Sequence, residues 1–221
     1  MPSSRLSGGT LLWYVMSRPK FLYFDLGKVL VNFEVEVMCR QIAELAGIAP
    51  PVAKEIIFGG DLQRQCELGR LSRQQFHEIF CKQAGCQVDS RLLEHAASTI
   101  FELNVSIVPL IGQLSQTGNR LGILSNTSPI HWEYCRNRFR LLTESFQVYV
   151  LSYRIGAMKP DPVIYRAAAE MAGVAPGEIF YTDDIAGHVA GARAAGLDAV
   201  QYTSTPQLVE ELRSRGVEFN Y

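Results

Sequence analysis

Short, uninterrupted apolar runs recur along the chain and predict buried β-strands. They occupy residues 21–24, 121–124, 148–151, 179–182 and 199–202. Runs without polar alternation are typical of strands that are covered on both faces, as in parallel sheets. Helical periodicity over residues 162–172, 188–195 and 206–215 alternates with or follows the later strands. This order predicts right-handed crossovers and a three-layer, Rossmann-like α/β fold with a mainly parallel sheet.

The stretch from about residue 35 to residue 105 shows no strand-like run. Apolar residues there recur at helical spacing, and we predict helices at 36–48, 52–58, 72–84 and 90–101. Pro50 and Pro51 are expected to break the pattern after the first of these helices. Residues 59–61 and 63–69 are expected to form a turn and a loop above the sheet edge. Arg64, Gln65 and Glu67 are candidate substrate contacts there; the alternative is a solvated loop.

These patterns divide the chain into three parts. We expect an N-terminal leader at 1–20, an α/β core formed by 21–34 with 106–221, and a helical insertion at 35–105. Met16 precedes a polar stretch and then the first strand. One hypothesis is that the native chain starts at Met16; the alternative is a leader that is simply present.

Composition narrows the function classes. Lys and Arg number 21 against 22 Asp and Glu, so the net charge of -1 argues against a dedicated nucleic-acid binder. The apolar run at 11–16 is too short to cross a membrane. The five cysteines form an odd set without a CxxC pair, which indicates reduced thiols in a cytoplasmic protein, neither a disulfide framework nor a zinc site.

Polar residues follow several predicted strands. Asp25 follows the first strand, Ser125 the second, and the pair Asp183 and Asp184 another, while Lys159 lies in a loop before a predicted helix. Because parallel strands bring their carboxyl ends to one edge of a sheet, we expect these groups to share one cleft. Crowded carboxylates require a cation, and oxygen ligands favour Mg²⁺. Such a site suits phosphoryl transfer through an aspartyl-phosphate.

Four segments in order also resemble known motifs: FDLGKVLV at 24–31, ILSNTS at 123–128, KPDPVIY at 159–165 and FYTDDIAG at 180–187. Together they resemble the haloacid dehalogenase superfamily over about residues 21–202. The subgroup that they resemble most includes α-glucose-1-phosphate phosphatases and the N-terminal phosphatase domain of soluble epoxide hydrolase. The resemblance implies that the helical insertion is a cap between the first and second motifs.

The resemblance assigns roles to the matching positions. It implies that Asp25 is the nucleophile and that Lys159 orients it and offsets charge. Ser125, assisted by the main chain of Asn126, would bind the transferred phosphoryl group of a small phosphorylated metabolite such as a sugar phosphate.

The same resemblance implies a Mg²⁺ site. Asp25 and the carbonyl oxygen of Gly27 would be metal ligands. Of the acidic pair, Asp184 would touch the metal directly and Asp183 would act through a water molecule. His188 replaces an Asn that often supports the metal site, and it is expected either to contact a metal-bound water or to cap the next helix.

Gly27 departs from the pattern of the superfamily. Most phosphatases of this kind carry there a second Asp that acts as general acid and base. Three explanations stay open: the leaving group departs unaided, a cap residue or water donates the proton, or the protein is a weakly active or non-catalytic binding or regulatory protein. A 2-haloacid dehalogenase is a further alternative, although that branch typically lacks the tandem Asp pair and carries an aromatic residue near the nucleophile.

Overall fold

The structure, a computed structural model, describes residues 18–221. The hypothesis about Met16 and most of the expected leader lie outside the described residues. The strands are β1 Phe21–Phe24, β2 Val31–Asn32, β3 Glu102–Leu103, β4 Leu121–Ser125, β5 Val148–Leu151, β6 Ile179–Asp183 and β7 Asp198–Gln201. Five of them form a parallel sheet in the order β5-β4-β1-β6-β7.

Helices occupy most of the remaining chain. In the first half they are α1 Val35–Ala46, α2 Pro50–Lys54, α3 Leu62–Glu67, α4 Arg73–Ala84 and α5 Ser90–Ser98. In the second half they are α6 Val108–Gln116, α7 Pro129–Arg138, α8 Leu141–Glu144, α9 Ser152–Ile155, α10 Pro162–Ala172, α11 Ala186–Ala194 and α12 Thr205–Ser214. In residues 18–221 no helix is both long and apolar enough to cross a membrane.

Strand β1 lies at the centre of the sheet and is buried on both faces. Leu22 and Phe24 face an apolar cluster that includes residues of α6 and α12. Phe21 and Tyr23 face a second cluster with residues of α10 and α11. The sheet is therefore the middle of three layers, and the predicted α/β fold class is confirmed.

The order of strands also determines where a cleft can form. After β1 the chain adds β4 and β5 on one side, then crosses to add β6 and β7 on the other. A parallel sheet binds ligands where the strand order reverses, beyond the carboxyl ends of the strands. That position lies at the end of β1.

Helices α1 to α5 lie between β2 and β3, which pair antiparallel. The prediction that 35–105 lacks strands was wrong at β3, because a two-residue strand carries too little pattern to recognise.

Residues 63–69 were predicted as a loop, but α3 covers most of them. The predicted helix at 52–58 instead begins at Pro50, a position where proline is tolerated, and continues into a π-helical turn, Glu55–Gly59.

Side chains at the helix ends explain several boundaries. Ser72 and Gln75 form a capping box at the start of α4, and the Asp89 carboxylate accepts two backbone N–H groups at the start of α5. Gly47 ends α1 in a left-handed conformation.

The division into core and cap at residues 35 and 105 stays a prediction, since one apolar cluster contains both Phe24 of the sheet and Phe80 of α4.

Gly69, just after α3, brings the chain into close contact with α9, the short helix that follows β5. Its φ is +68°, and a Cβ added there would overlap the carbonyl oxygen of Tyr153 in α9. Only glycine allows both this backbone conformation and this close approach. The contact fixes the position of α3 relative to the end of β5.

We predict that Gly69→Ala lowers the free energy of unfolding by about 3 kcal/mol or more, since it adds a clash to the left-handed strain. Gly47→Ala is the matched control, because its φ is +66° and nothing lies within 4 Å of its added Cβ. The control should lose only about 1–2 kcal/mol. Urea unfolding of both variants measures the difference; equal losses would contradict the role given to the contact with Tyr153.

Candidate active site

Asp25 follows β1 directly and lies at the bottom of a pocket beyond the sheet edge. Its backbone N–H donates to the carbonyl of Thr182, which extends the pairing of β1 with β6 by one residue. Its carboxylate Oδ1 accepts the N–H of Leu26 at 2.7 Å and lies 2.9 Å from Nζ of Lys159. Two contacts to one oxygen hold this carboxylate in a single orientation.

Lys159 is the cation at the centre of the site. Its side chain is fully buried, and Nζ lies 2.6 Å from Oδ2 of Asp183 as well as beside Asp25. The ammonium also donates to the carbonyl of Leu124 at 3.2 Å and to the hydroxyl of Tyr181 at 2.9 Å. Burial opposes the charge, yet the two carboxylates hold the pKa of Lys159 above its ordinary value.

Asn126 fixes the loop that carries Lys159. Its side-chain oxygen accepts the backbone N–H of Lys159 at 2.8 Å, and its amide donates to the carbonyl of the same residue at 3.0 Å. Sequence reasoning gave Asn126 a role through its main chain and missed this double contact. An amide side chain that bonds a distant loop leaves no signal in a single sequence.

The two acidic residues at the end of β6 lie in different surroundings. Asp183 is fully buried, and its carboxylate accepts hydrogen bonds from Lys159, Tyr181 and the N–H of Ile185. Nδ1 of His188 lies 3.1 Å from both of its oxygens, so the imidazole contacts this carboxylate. Burial works to raise the pKa of Asp183, but the contacts from His188 and Lys159 hold it below its ordinary value.

Asp184 is only partly buried and lines the pocket together with Asp25, Gly27, Ser125, Asn126 and Lys159. Burial, and then the charge of Asp183, raises the pKa of Asp184. Burial likewise raises the pKa of Asp25. The structure thus brings the residues singled out in the sequence to one place, while their individual roles stay predictions.

The donor set fits a hard divalent cation. Asp25 and Asp183 flank the buried ammonium of Lys159, and Asp184 lines the same pocket, so three carboxylates accompany one buried cation. Asp25, Asp183 and His188 each place a ligand atom within 4.8 Å of the others. Oxygen-rich, negatively charged sites of this kind favour Mg²⁺ over softer metals.

Gly27 lies beside an aromatic ring. A Cβ at this position would lie 2.9 Å from Cε1 of Phe33, so the ring occupies the space into which a side chain at 27 would extend. Lys28, the next residue, has a φ of +57°, and its ammonium lies over the same ring. Position 27 therefore lacks the acidic side chain that the resemblance leads one to expect, and the ring of Phe33 occupies the space that such a side chain would need.

The pocket continues from the polar sheet edge to an apolar wall and has a cavity volume of about 190 Å³. The apolar side chains that line it are Leu26, Phe33, Val35, Met38, Phe58, Ile100, Phe101 and Ile185. His131 of α7 also lines it, and burial lowers the pKa of this imidazole to about 4, which leaves it neutral near pH 7. Gln63 and Glu67 reach the pocket from α3.

Comparison with known proteins identifies a family. The sequence model of the haloacid dehalogenase-like hydrolases matches residues 20–196. A protein of Mycobacterium tuberculosis (strain CDC 1551 / Oshkosh) that is named a phosphatase is 34% identical over 112 residues, which are 49% of this chain and 52% of that protein. The match thus spans about half the length of this relative.

Solved structures share the fold. A haloacid dehalogenase family enzyme of Bacteroides thetaiotaomicron, in complex with magnesium and inorganic phosphate, matches with a TM-score of 0.74 at 24% identity, over 85% of this chain and 96% of that one. A predicted hydrolase of the same kind from Porphyromonas gingivalis gives 0.77 at 22%, over 89% and 99%. The L-2-haloacid dehalogenase of Xanthobacter autotrophicus gives 0.60 at 21%, over 89% and 83%.

We predict that Lys159→Met lowers the free energy of unfolding by about 3–5 kcal/mol in metal-free buffer, because it leaves two buried carboxylates without their counter-charge. The deficit should be larger at pH 8 than at pH 5. Without the ammonium the folded-state pKa values of both carboxyl groups rise, so folding favours protonation and loses stability as the pH increases. Urea unfolding at the two pH values measures this, and a loss under about 1 kcal/mol at both would contradict it.

Proposed function

Because the chain belongs to the haloacid dehalogenase-like hydrolase family, we propose that it is a Mg²⁺-dependent phosphohydrolase of a small phosphorylated metabolite. The observation that carries the proposal is the geometry of Asp25. Its carboxylate is held by Lys159 and Leu26, and Asp25 lines the same pocket as Asp184. A relative that is named a phosphatase, and a neighbour in fold that binds magnesium and inorganic phosphate, support the same reaction class.

In the proposed reaction Asp25 attacks the phosphorus atom and the bond from phosphorus to the leaving oxygen breaks. The result is an aspartyl-phosphate, which water then hydrolyses. Lys159 keeps Asp25 oriented and offsets its charge. The hydroxyl of Ser125 and the backbone N–H of Asn126 are the groups that bind phosphoryl oxygens at the end of β4.

Mg²⁺, when bound, neutralises the negative charge that phosphate adds to the carboxylates. Asp25, the carbonyl of Gly27 and Asp184 would hold it. Asp183 already accepts four polar contacts, so it suits a contact through water better than direct coordination. The same contacts hold Lys159 and His188 beside Asp183.

The shape and lining of the pocket bear on the substrate. A volume of about 190 Å³ accommodates a phosphate with a short carbon part. The wall that this carbon part would meet is formed largely by Phe33, Met38, Phe58 and Phe101. A polyhydroxylated sugar would bury hydroxyl groups against these side chains without hydrogen-bond partners, which would cost binding free energy. We therefore favour a short phosphomonoester with an apolar or aromatic carbon part over the sugar phosphate expected from the resemblance.

The alternatives carry less support. A 2-haloacid dehalogenase has no phosphate charge to neutralise and no need for the carboxylate excess formed with Asp183 and Asp184. A binding protein without catalysis would not require the fixed orientation of Asp25. The likeness in fold to a dehalogenase of Xanthobacter autotrophicus indicates shared architecture and not a shared substrate.

We predict that the protein hydrolyses 4-nitrophenyl phosphate only with Mg²⁺, and that Asp25→Asn lowers kcat by about 10³-fold or more. Asp89→Asn is the matched control, because it makes the same change at an exposed residue that starts α5. Release of 4-nitrophenol is the measurement. Hydrolysis that persists with EDTA and in Asp25→Asn would contradict the proposal.

We also predict that kcat/KM is about 10-fold or more higher for phenyl phosphate and short alkyl phosphates than for hexose phosphates, since unpaired buried hydroxyls reduce binding. Phosphate release from a panel of these esters measures the ratio. A preference for the hexose phosphates would contradict this assignment and would restore the sugar phosphate expected from the resemblance.

A further inference from the structure

The proposed reaction requires a proton for an unactivated leaving group, and the core offers no obvious donor within the described residues. Gly27 has no side chain, and the ring of Phe33 occupies the adjacent space. His188 contacts Asp183, and the imidazole of His131 is neutral because burial lowers its pKa. The donor must therefore come from another part of the pocket.

We propose that Glu67, at the end of α3 in the insertion, donates a proton to the leaving-group oxygen and so replaces the acid that is absent at Gly27. This inference rests on the proposed phosphohydrolase function. Glu67 lines the same pocket as Asp25 and Lys159. It is the acidic side chain that the insertion contributes to that pocket within residues 18–221.

The surroundings of Glu67 hold its carboxyl group in place. The amide of Gln63, one helical turn earlier, donates to its Oε1 at 2.8 Å, which leaves Oε2 to carry a proton. Leu68, the next residue, is buried, and Gly69 packs against the backbone of Tyr153. The chain is therefore anchored directly after the position where Glu67 meets the pocket.

The local electrostatics shift Glu67 towards its protonated form. Burial raises the pKa of Glu67, and the hydrogen bond from Gln63 and the charge of Lys159 oppose this only in part. A raised pKa increases the fraction of carboxylic acid near neutral pH, which is what a general acid requires. Apolar side chains line much of the same pocket, and surroundings of low polarity disfavour a charged carboxylate.

The proton balance is complete with the groups named. Asp25 forms a bond to phosphorus, the bond from phosphorus to the leaving oxygen breaks, and that oxygen takes the proton of Glu67 to depart as an alcohol. The Glu67 carboxylate then removes a proton from the water that attacks the aspartyl-phosphate. The bond between phosphorus and Asp25 breaks, phosphate leaves, and both carboxyl groups return to their initial states.

The test compares two esters that differ in their need for a proton. Phenyl phosphate has a poor leaving group, whereas 4-nitrophenyl phosphate releases a stable anion. We expect Glu67→Gln, in the full chain with Mg²⁺, to lower kcat/KM for phenyl phosphate by about 10²–10⁴-fold. For 4-nitrophenyl phosphate the loss should stay under about 10-fold, because its leaving group needs little help from an acid. The parameter kcat/KM is used because it reports the step in which the leaving group departs, independent of the later hydrolysis.

Glu78→Gln is the matched control, because it makes the same change on a solvent-accessible part of α4 and should leave both esters unaffected. Glu67→Asp keeps an acid and should retain more activity on phenyl phosphate than Glu67→Gln, which separates chemistry from a folding defect. Equal losses on both esters, or no loss on either, would overturn the role of Glu67. Failure of the unaltered protein to hydrolyse either ester would instead overturn the proposed function.

Discussion

The ion pairs of Lys159 are the constraint on which the site depends. A fully buried ammonium is tolerated only when opposite charges and hydrogen-bond acceptors surround it, because desolvation costs several kcal/mol per ion. Asp25 from the end of β1 and Asp183 from β6 supply the charges, and the carbonyl of Leu124 in β4 supplies a further acceptor. One side chain thus joins the ends of three adjacent strands. Any displacement of these strands relative to one another would leave a charge buried without a partner.

The length and pattern of each element determined how far the sequence predicted the structure. The parallel strands were predictable because five apolar runs alternate with helical periodicity, and parallel sheets require that order. The strand β3 was not, because two residues cannot display a period. Helix α3 was missed for a related reason: two glycines lie just before it, and Leu62 and Cys66 are its only buried residues. Its helical state depends on packing against the rest of the molecule.

In the candidate site, the positions at strand ends were predictable from topology, whereas the contacts made by loops and by the insertion were not. Asp25, Ser125 and Asp183 were expected at one edge because they end parallel strands, and the structure places them there. The contact between the side chain of Asn126 and the backbone of Lys159 depends on the path of two loops. The entry of Glu67 into the pocket depends on how the insertion packs. Neither the contact of Asn126 with Lys159 nor the position of Glu67 produces a periodic pattern or a motif in the sequence. A single sequence therefore does not reveal them.

Gly27 and Phe33 have a consequence for how this chain can change. An acidic side chain at 27 would require the ring of Phe33 to move, and the ring in turn forms part of the apolar wall and contacts Phe101. The two positions are therefore epistatic: the effect of a substitution at one depends on the residue at the other, and their free-energy changes should not add. An acidic side chain at 27 therefore fits this pocket only together with a smaller or displaced side chain at 33.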